Sequence, residues 1–147
     1  MASFITQNFV PVKIHVKEQP DAFKRFGAQW TPTLIVLDPE GQERYRFEGY
    51  LPPEDFLAQL RLGLAKSAFA RGRWDEADRR FLEITRLHKD SEVAPEAVYW
   101  AGVSLYKRTS DHHALGETAK QLRSGYPDSI WTKKASVWEE QKGGGAG

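Results

Sequence analysis

Apolar residues alternate with a period of two only before Gly49; after Pro52 they recur with helical spacing alone. This split constrains the fold more than any motif does. A short sheet-bearing half must be followed by a half built of helices. In the first half, residues 2 to 8 read as the end of a helix. Phe9–Val16 (FVPVKIHV) puts Val10, Val12, Ile14 and Val16 on one face and Lys13 and His15 on the other, the pattern of a strand with one buried face. Pro11 makes it an edge strand. Residues 19 to 27 (QPDAFKRFG) predict a short helix, opened by Pro20, closed by Gly27, with Phe23 and Phe26 turned inward. Leu34-Ile35-Val36-Leu37 is a continuous apolar run, as in a strand buried on both faces. Asp38-Pro39-Glu40-Gly41 is a turn signal. Glu43–Gly49 alternates again, with Tyr45 and Phe47 on one side, completing an antiparallel hairpin.

Pro52-Pro53-Glu54 opens a helix whose apolar stripe is Phe56, Leu57, Leu60 and Leu64 and which runs on to Ala70 despite Gly63. Gly72-Arg73-Trp74 restarts the chain. Trp74, Ala77, Phe81, Ile84 and Leu87 then keep helical spacing. Ser91–Pro95 starts a helix carrying Val98, Ala101 and Leu105. Another helix covers about 112 to 124 with Leu115, Ala119 and Leu122. Tyr126-Pro127-Asp128-Ser129 stops it, and a last one over residues 130–140 carries Trp131, Ala135 and Trp138.

The 147 residues suffice for one ordinary domain or two small units sharing a core. An apolar share of 40%, with five Trp and eight Phe, supports a packed interior. The formal net charge is +1, so no basic excess points to nucleic acid or an anionic membrane. No stretch is long and apolar enough to span a bilayer, and MASFITQNF lacks the basic-then-apolar pattern of a signal peptide. The chain contains no cysteine. That removes disulfides, thiolate nucleophiles and zinc sites of the cysteine type, and leaves the compartment open between cytoplasm and periplasm. Met1-Ala2 leads straight into a helix, the expectation for a chain cut from a longer protein. Residues 143–147 (GGGAG) read as a flexible tail.

The order strand, helix, Thr-Pro-Thr, strand, turn, strand, Gly, helix resembles the thioredoxin fold from its second half onward. FVPVKIHV, WTPTLIVLDPEG and the last glycine of YRFEGY carry the resemblance, over about residues 1 to 64. It implies that Pro32 is a cis proline and that Trp30, Thr31 and Pro32 line a surface facing substrate peptides. The resemblance also implies a Cys-x-x-Cys helix and a central strand that this sequence lacks. Loss of that strand leaves a gap of about 4.8 Å on each side, with unpaired backbone groups. Three outcomes are expected: the Phe9–Val16 strand moves over to pair with Leu34–Leu37, a second chain fills the slot, or the sheet stays distorted and partly open. An open central edge favours a homodimer.

The helical half resembles tetratricopeptide repeats. Gly72, Trp74, Ala77 and Phe81 match the motif best; Leu115, Ala119, Leu122 and Pro127 form a looser second copy. Lys89 stands where the first copy would close with Pro. Two copies are fewer than the three or so a free-standing array needs, so the helices must lean on the thioredoxin-like part or on a partner, and the helix from Glu54 is expected to do this by serving both units.

Other clusters yield structural readings. His112 and His113 are adjacent at a helix start, with Asp111 as its cap, and point apart, a poor chelate. His15 and His88 have no ligand-spaced partners. No nucleophile elbow and no phosphate loop occur. Asp75, Glu76 and Asp78 suit a helix dipole in a first turn. Arg71, Arg73, Arg79 and Arg80 read as a solvated face interleaved with acids. Trp74, Phe81, Tyr99, Trp100, Tyr106, Trp131 and Trp138 read chiefly as core of the helical layer, with some free to line a peptide groove.

The expected architecture is therefore α/β, an incomplete thioredoxin-like sheet with flanking helices over residues 1–64, plus an all-α tetratricopeptide-like module over 65–142 and the tail. The expected function is that of the non-catalytic portion of a thioredoxin-like thiol–disulfide oxidoreductase whose helical repeats bind protein. The alternatives are a cysteine-free interaction scaffold and an engineered split half completed by another polypeptide. No metal or cofactor is expected. The expected partner is a protein or peptide, neither nucleic acid nor membrane.

Overall fold

A computed structural model describes residues 1–29 and 32–145, with residues 140–145 by backbone alone. Its first two helices are short: α1 is Ala2–Asn8 and α2 is Pro20–Arg25. Proline at the first turn, Asp21 beside it and Lys24 and Arg25 in the last turn all favour α2 locally. Neither helix has a buried residue.

The expected strand Phe9–Val16 does not form. Residues 9–15 carry no regular structure; Val10 is 91% and Val12 79% exposed. A strand is stable only where a neighbour satisfies its backbone groups, and Pro11 removes one donor from a segment that has no neighbour. The segment neither slides across to the hairpin nor buries its valine face. Of the three expected outcomes, the direct pairing of this segment with Leu34–Leu37 does not occur.

The antiparallel hairpin forms, but its first strand is not buried on both faces as expected: with one neighbouring strand and one covering helix, only Val36 of the run is buried and Leu37 is exposed. Strands β1 (Thr33–Leu37) and β2 (Glu43–Glu48) pair antiparallel in a two-stranded sheet. Thr33 faces Glu48 and Val36 faces Tyr45, but Leu37 faces Glu43, so Arg44 is the extra residue of a bulge. Asp38 organises the turn. Its carboxylate accepts the amides of Glu40 at 3.0 Å and Gln42 at 2.9 Å, and the Arg44 Nε at 2.8 Å. Burial alone would raise the Asp38 pKa; the hydrogen bonds from Gln42, Arg44 and Glu40 and the Arg44 charge outweigh it and hold the carboxyl below its ordinary value. Gly41, at φ +85°, supplies the left-handed backbone that this turn requires.

Five helices follow: α3 (Pro53–Ala70), α4 (Trp74–Leu87), α5 (Ala94–Thr109), α6 (His113–Gly125) and α7 (Ile130–Gly145). Helix α7 takes in the first three glycines of the expected tail. Each helix packs on the next, α5 also touches α7, and α3 also packs on both strands. Helix α3 is thus buried on more than one side. Beyond the predicted Leu60, it buries Ala58, Leu62, Ala65 and Ala68. These pack with Ala77, Phe81 and Ile84 of α4 and with Val93, Ala97 and Ala101 from the start and body of α5. Alanines at the contacts let the helix axes approach closely around Phe81, the largest fully buried side chain.

Gly63 is the point where α3 meets the sheet. A Cβ there would lie 2.7 Å from a Val36 methyl and 3.5 Å from the Tyr45 ring. The residue that weakens the helical propensity of α3 is what allows the hairpin to sit on it. Gly102 has the same role between α5 and α6, against Thr118. A second core joins Val98, Ala119, Leu122 and Ala135, flanked by Tyr99, Tyr126, Trp131 and Trp138. The cap of α6 is His112 rather than the expected Asp111. Asp111 accepts the His113 amide at 2.9 Å from one residue before the cap position. Ser129 accepts the Trp131 amide at 3.1 Å at the start of α7.

Candidate peptide-binding surface

Of the predicted trio, Trp30 and Thr31 lie outside the described residues. Pro32 is half-buried, and its carbonyl accepts the Gly49 amide at 2.9 Å. It therefore sits at the open end of the hairpin, one residue before β1. The end of α2 is held to the same hairpin by Arg46. Its guanidinium donates to the carbonyl of Phe26 at 2.5 Å and pairs with Glu43 at 2.6 Å. That hydrogen bond holds the Glu43 carboxyl below its ordinary pKa. The other edge of β1 pairs with no described strand.

The second element is a row of aromatic rings across α3, α4, α5 and α7. Phe69 meets Trp74 at 5.1 Å and Trp100 at 5.0 Å, both edge-on. Trp100 meets Tyr99 at 5.1 Å; Tyr99 in turn stacks on Trp138 at 4.7 Å and lies 5.0 Å from Trp131. All six are half-buried rather than enclosed. Such rings present rigid apolar area with polar edges, the property that suits aromatic residues to peptide contact. Phe81 alone of the aromatic set is pure core, at 0% exposure. Tyr106 pairs instead with His112 at 5.2 Å.

A polar cluster joins the row to the sheet. The Lys66 ammonium donates to Glu96 at 2.8 Å and lies 5.1 Å over the Tyr45 ring; Trp100 Nε1 donates to the same Glu96 oxygen at 3.1 Å. The Tyr45 hydroxyl donates to Gln59, whose amide donates to Glu92 at 3.2 Å. Burial, reinforced by Glu96 and Glu92, pushes the Tyr45 phenol well above its ordinary pKa. It is a structural hydrogen-bond donor, not a base. A cavity of about 210 Å3 opens here between the hairpin and the helices, with Arg44, Lys66, Phe69 and Trp100 in its wall. Sequence reading missed Lys66, Glu96 and Phe69. Phe69 had a signal, its position five residues before Trp74 across the Gly72 break; the Lys66–Glu96 pair, thirty residues apart, had none.

No cysteine is present, and among the described residues no group of three or more His, Asp and Glu is placed to hold a metal. No helix among them is long and apolar enough to cross a membrane. His112 and His113 are both exposed at the start of α6.

Residues 1–63 match the family model of a thioredoxin-like domain. The match ends inside α3 and so spans α1, α2, the hairpin and the first part of the helix that carries both halves. No curated protein and no solved structure gives a significant match.

Proposed function

We propose that this chain is the non-catalytic part of a thioredoxin-like thiol–disulfide oxidoreductase and works by binding polypeptide. The observation that carries this reading is the unfinished sheet. A thioredoxin-like region contributes only two paired strands, beside a valine-rich segment left in solvent. An isolated two-stranded hairpin is marginal on its own, and an unpaired strand edge is a template for another chain. With no sulfur nucleophile, what remains of redox function is recognition: the Pro32 end of the hairpin toward an extended peptide, and tetratricopeptide-like helices presenting the aromatic row. The open edge also suits self-association into a homodimer.

Insulin reduction by dithiothreitol tests the non-catalytic claim. The chain should leave the rate at background; turnover above it refutes the proposal. A thioredoxin strand–helix peptide bearing Cys-x-x-Cys, added in trans, should raise the melting temperature and restore turnover. Val10→Ser and Val12→Ser should leave the chain alone within about 0.5 kcal/mol of its stability but diminish that gain. Sedimentation should show the added peptide displacing any dimer.

A cysteine-free scaffold is the second reading, favoured by the continuous aromatic row. A chain indifferent to the added peptide, yet losing partner capture on Tyr99→Ala, would support it over the first.

A further inference from the structure

Helix α4 has two faces. Ala77, Phe81 and Ile84 are fully buried against α3 and α5. The opposite stripe, where Asp75, Arg79, Leu82 and Arg86 recur at three- and four-residue steps, borders an open groove of about 580 Å3. Its acids are already engaged, with Asp75 and Asp78 sharing one guanidinium. Arg108 of α5 reaches Asp75 at 3.3 Å and Asp78 at 3.0 Å, while Arg61 of α3 holds Glu83 at 2.8 Å. Arg79 and Arg86, both exposed, have neither a carboxylate nor a hydrogen-bond partner among the described residues. Arg86 suits the negative end of the helix; Arg79, in mid-helix, has no such role. Between them lies Leu82, half exposed at 50%.

We infer that this face of α4 is a docking site for a short acidic peptide segment, with an apolar side chain seated on Leu82 between two carboxylates held by Arg79 and Arg86. Seven helical residues separate the arginines by about 10.5 Å along the axis. Two carboxylates four residues apart on an extended strand share one face about 13 Å apart, with the residue midway between them on that face as well, so the long arginine side chains meet both from one short extended segment with an apolar residue at its middle. Guanidinium groups bind carboxylates in a paired, planar geometry, and these two are unengaged. The site is built on α4 and α5, with Arg61 of α3 holding one acid. It does not depend on the sheet half or on redox ancestry.

The test is fluorescence polarisation of the full chain with a fluorescein-labelled Ser-Glu-Ser-Leu-Ser-Glu-Ser peptide. Binding is expected to weaken about tenfold in the doubly charge-reversed Arg79→Glu, Arg86→Glu variant and several-fold in Leu82→Ala. It should also fall as sodium chloride rises from about 50 to 300 mM. Lys133→Glu on α7 should bind as the parent does. Circular dichroism confirms that each variant is folded. Equal binding by the counterpart with Lys in place of Glu, undiminished binding by a folded doubly reversed variant, or no binding by the parent chain would overturn the inference.

Discussion

At the scale of single residues, burial decides the chemistry more often than charge does. His88 is a case. It follows α4 with its side chain only 6% exposed, Nδ1 3.9 Å from Glu54 and Nε2 buried without a partner. Burial, then the Arg61 charge, depresses its pKa below the ordinary imidazole value; Glu54, Asp55 and Glu83 oppose this and do not overcome it. The unfolded chain takes up this proton near pH 6.5, before the folded chain does. Stability is therefore complete above that pH and declines as pH falls from there toward the depressed native value. Urea midpoints measured between pH 8 and pH 5 should show this decline, and His88→Asn should make it shallower. Gly102 depends on space rather than charge. Gly102→Ala should cost about 1–3 kcal/mol, because Thr118 occupies the position of the new methyl. Gly102→Ala with Thr118→Ala, which removes both the Oγ1 and the Cγ2 that crowd the new methyl, should recover part of that loss. Ser104, fully buried with no partner for its hydroxyl, should behave oppositely. Ser104→Ala should raise the denaturation midpoint, since a desolvated hydroxyl is removed from a helix that prefers alanine.

At the scale of elements, the helices stand on a few large side chains surrounded by alanine. Phe81→Ala should lower the unfolding free energy by about 3–5 kcal/mol in chemical denaturation, because the small neighbours in α3 and α5 cannot close the cavity. These elements were legible because their patterns are local. The period and punctuation of α4, the Asp38–Gly41 turn and the Tyr45–Phe47 alternation each lie within a few residues. The Phe9–Val16 segment has an equally clear pattern but no neighbour to pair with, and pairing is a property of two segments, not one. Helix α3 was only half legible for a related reason. A stripe from Phe56 to Leu64 is visible in sequence, but Leu62 and Ala65 fall outside it and are fully buried, because this helix faces two partners. The candidate surface was legible in its tryptophans. Its polar cluster was not, since Lys66, Glu96, Gln59 and Glu92 come together only when α3, the first turn of α5 with the segment before it, and the hairpin have packed.

At the scale of the whole molecule, order is unequal. Residues 1–29 contribute no buried side chain, whereas α3, α4 and α5 share the main core. Amide hydrogen exchange should accordingly be fastest in α1 and α2, slower in the hairpin and slowest in α3 to α5. Slow exchange throughout residues 1–29 would contradict this ordering. One tether opposes the gradient: the Arg61 guanidinium of α3 lies 4.5 Å over the Phe4 ring of α1. The boundary expected between residues 64 and 65 falls within the same helix, as does the end of the thioredoxin-like match. Neither half can be excised cleanly. A cut after residue 64 would leave the hairpin its floor but strip Ala65 and Ala68 from the helical interior, and a cut before Pro53 would strand the hairpin altogether. Any recombinant swap or truncation that keeps either half folded must carry the entire Pro53–Ala70 segment with it.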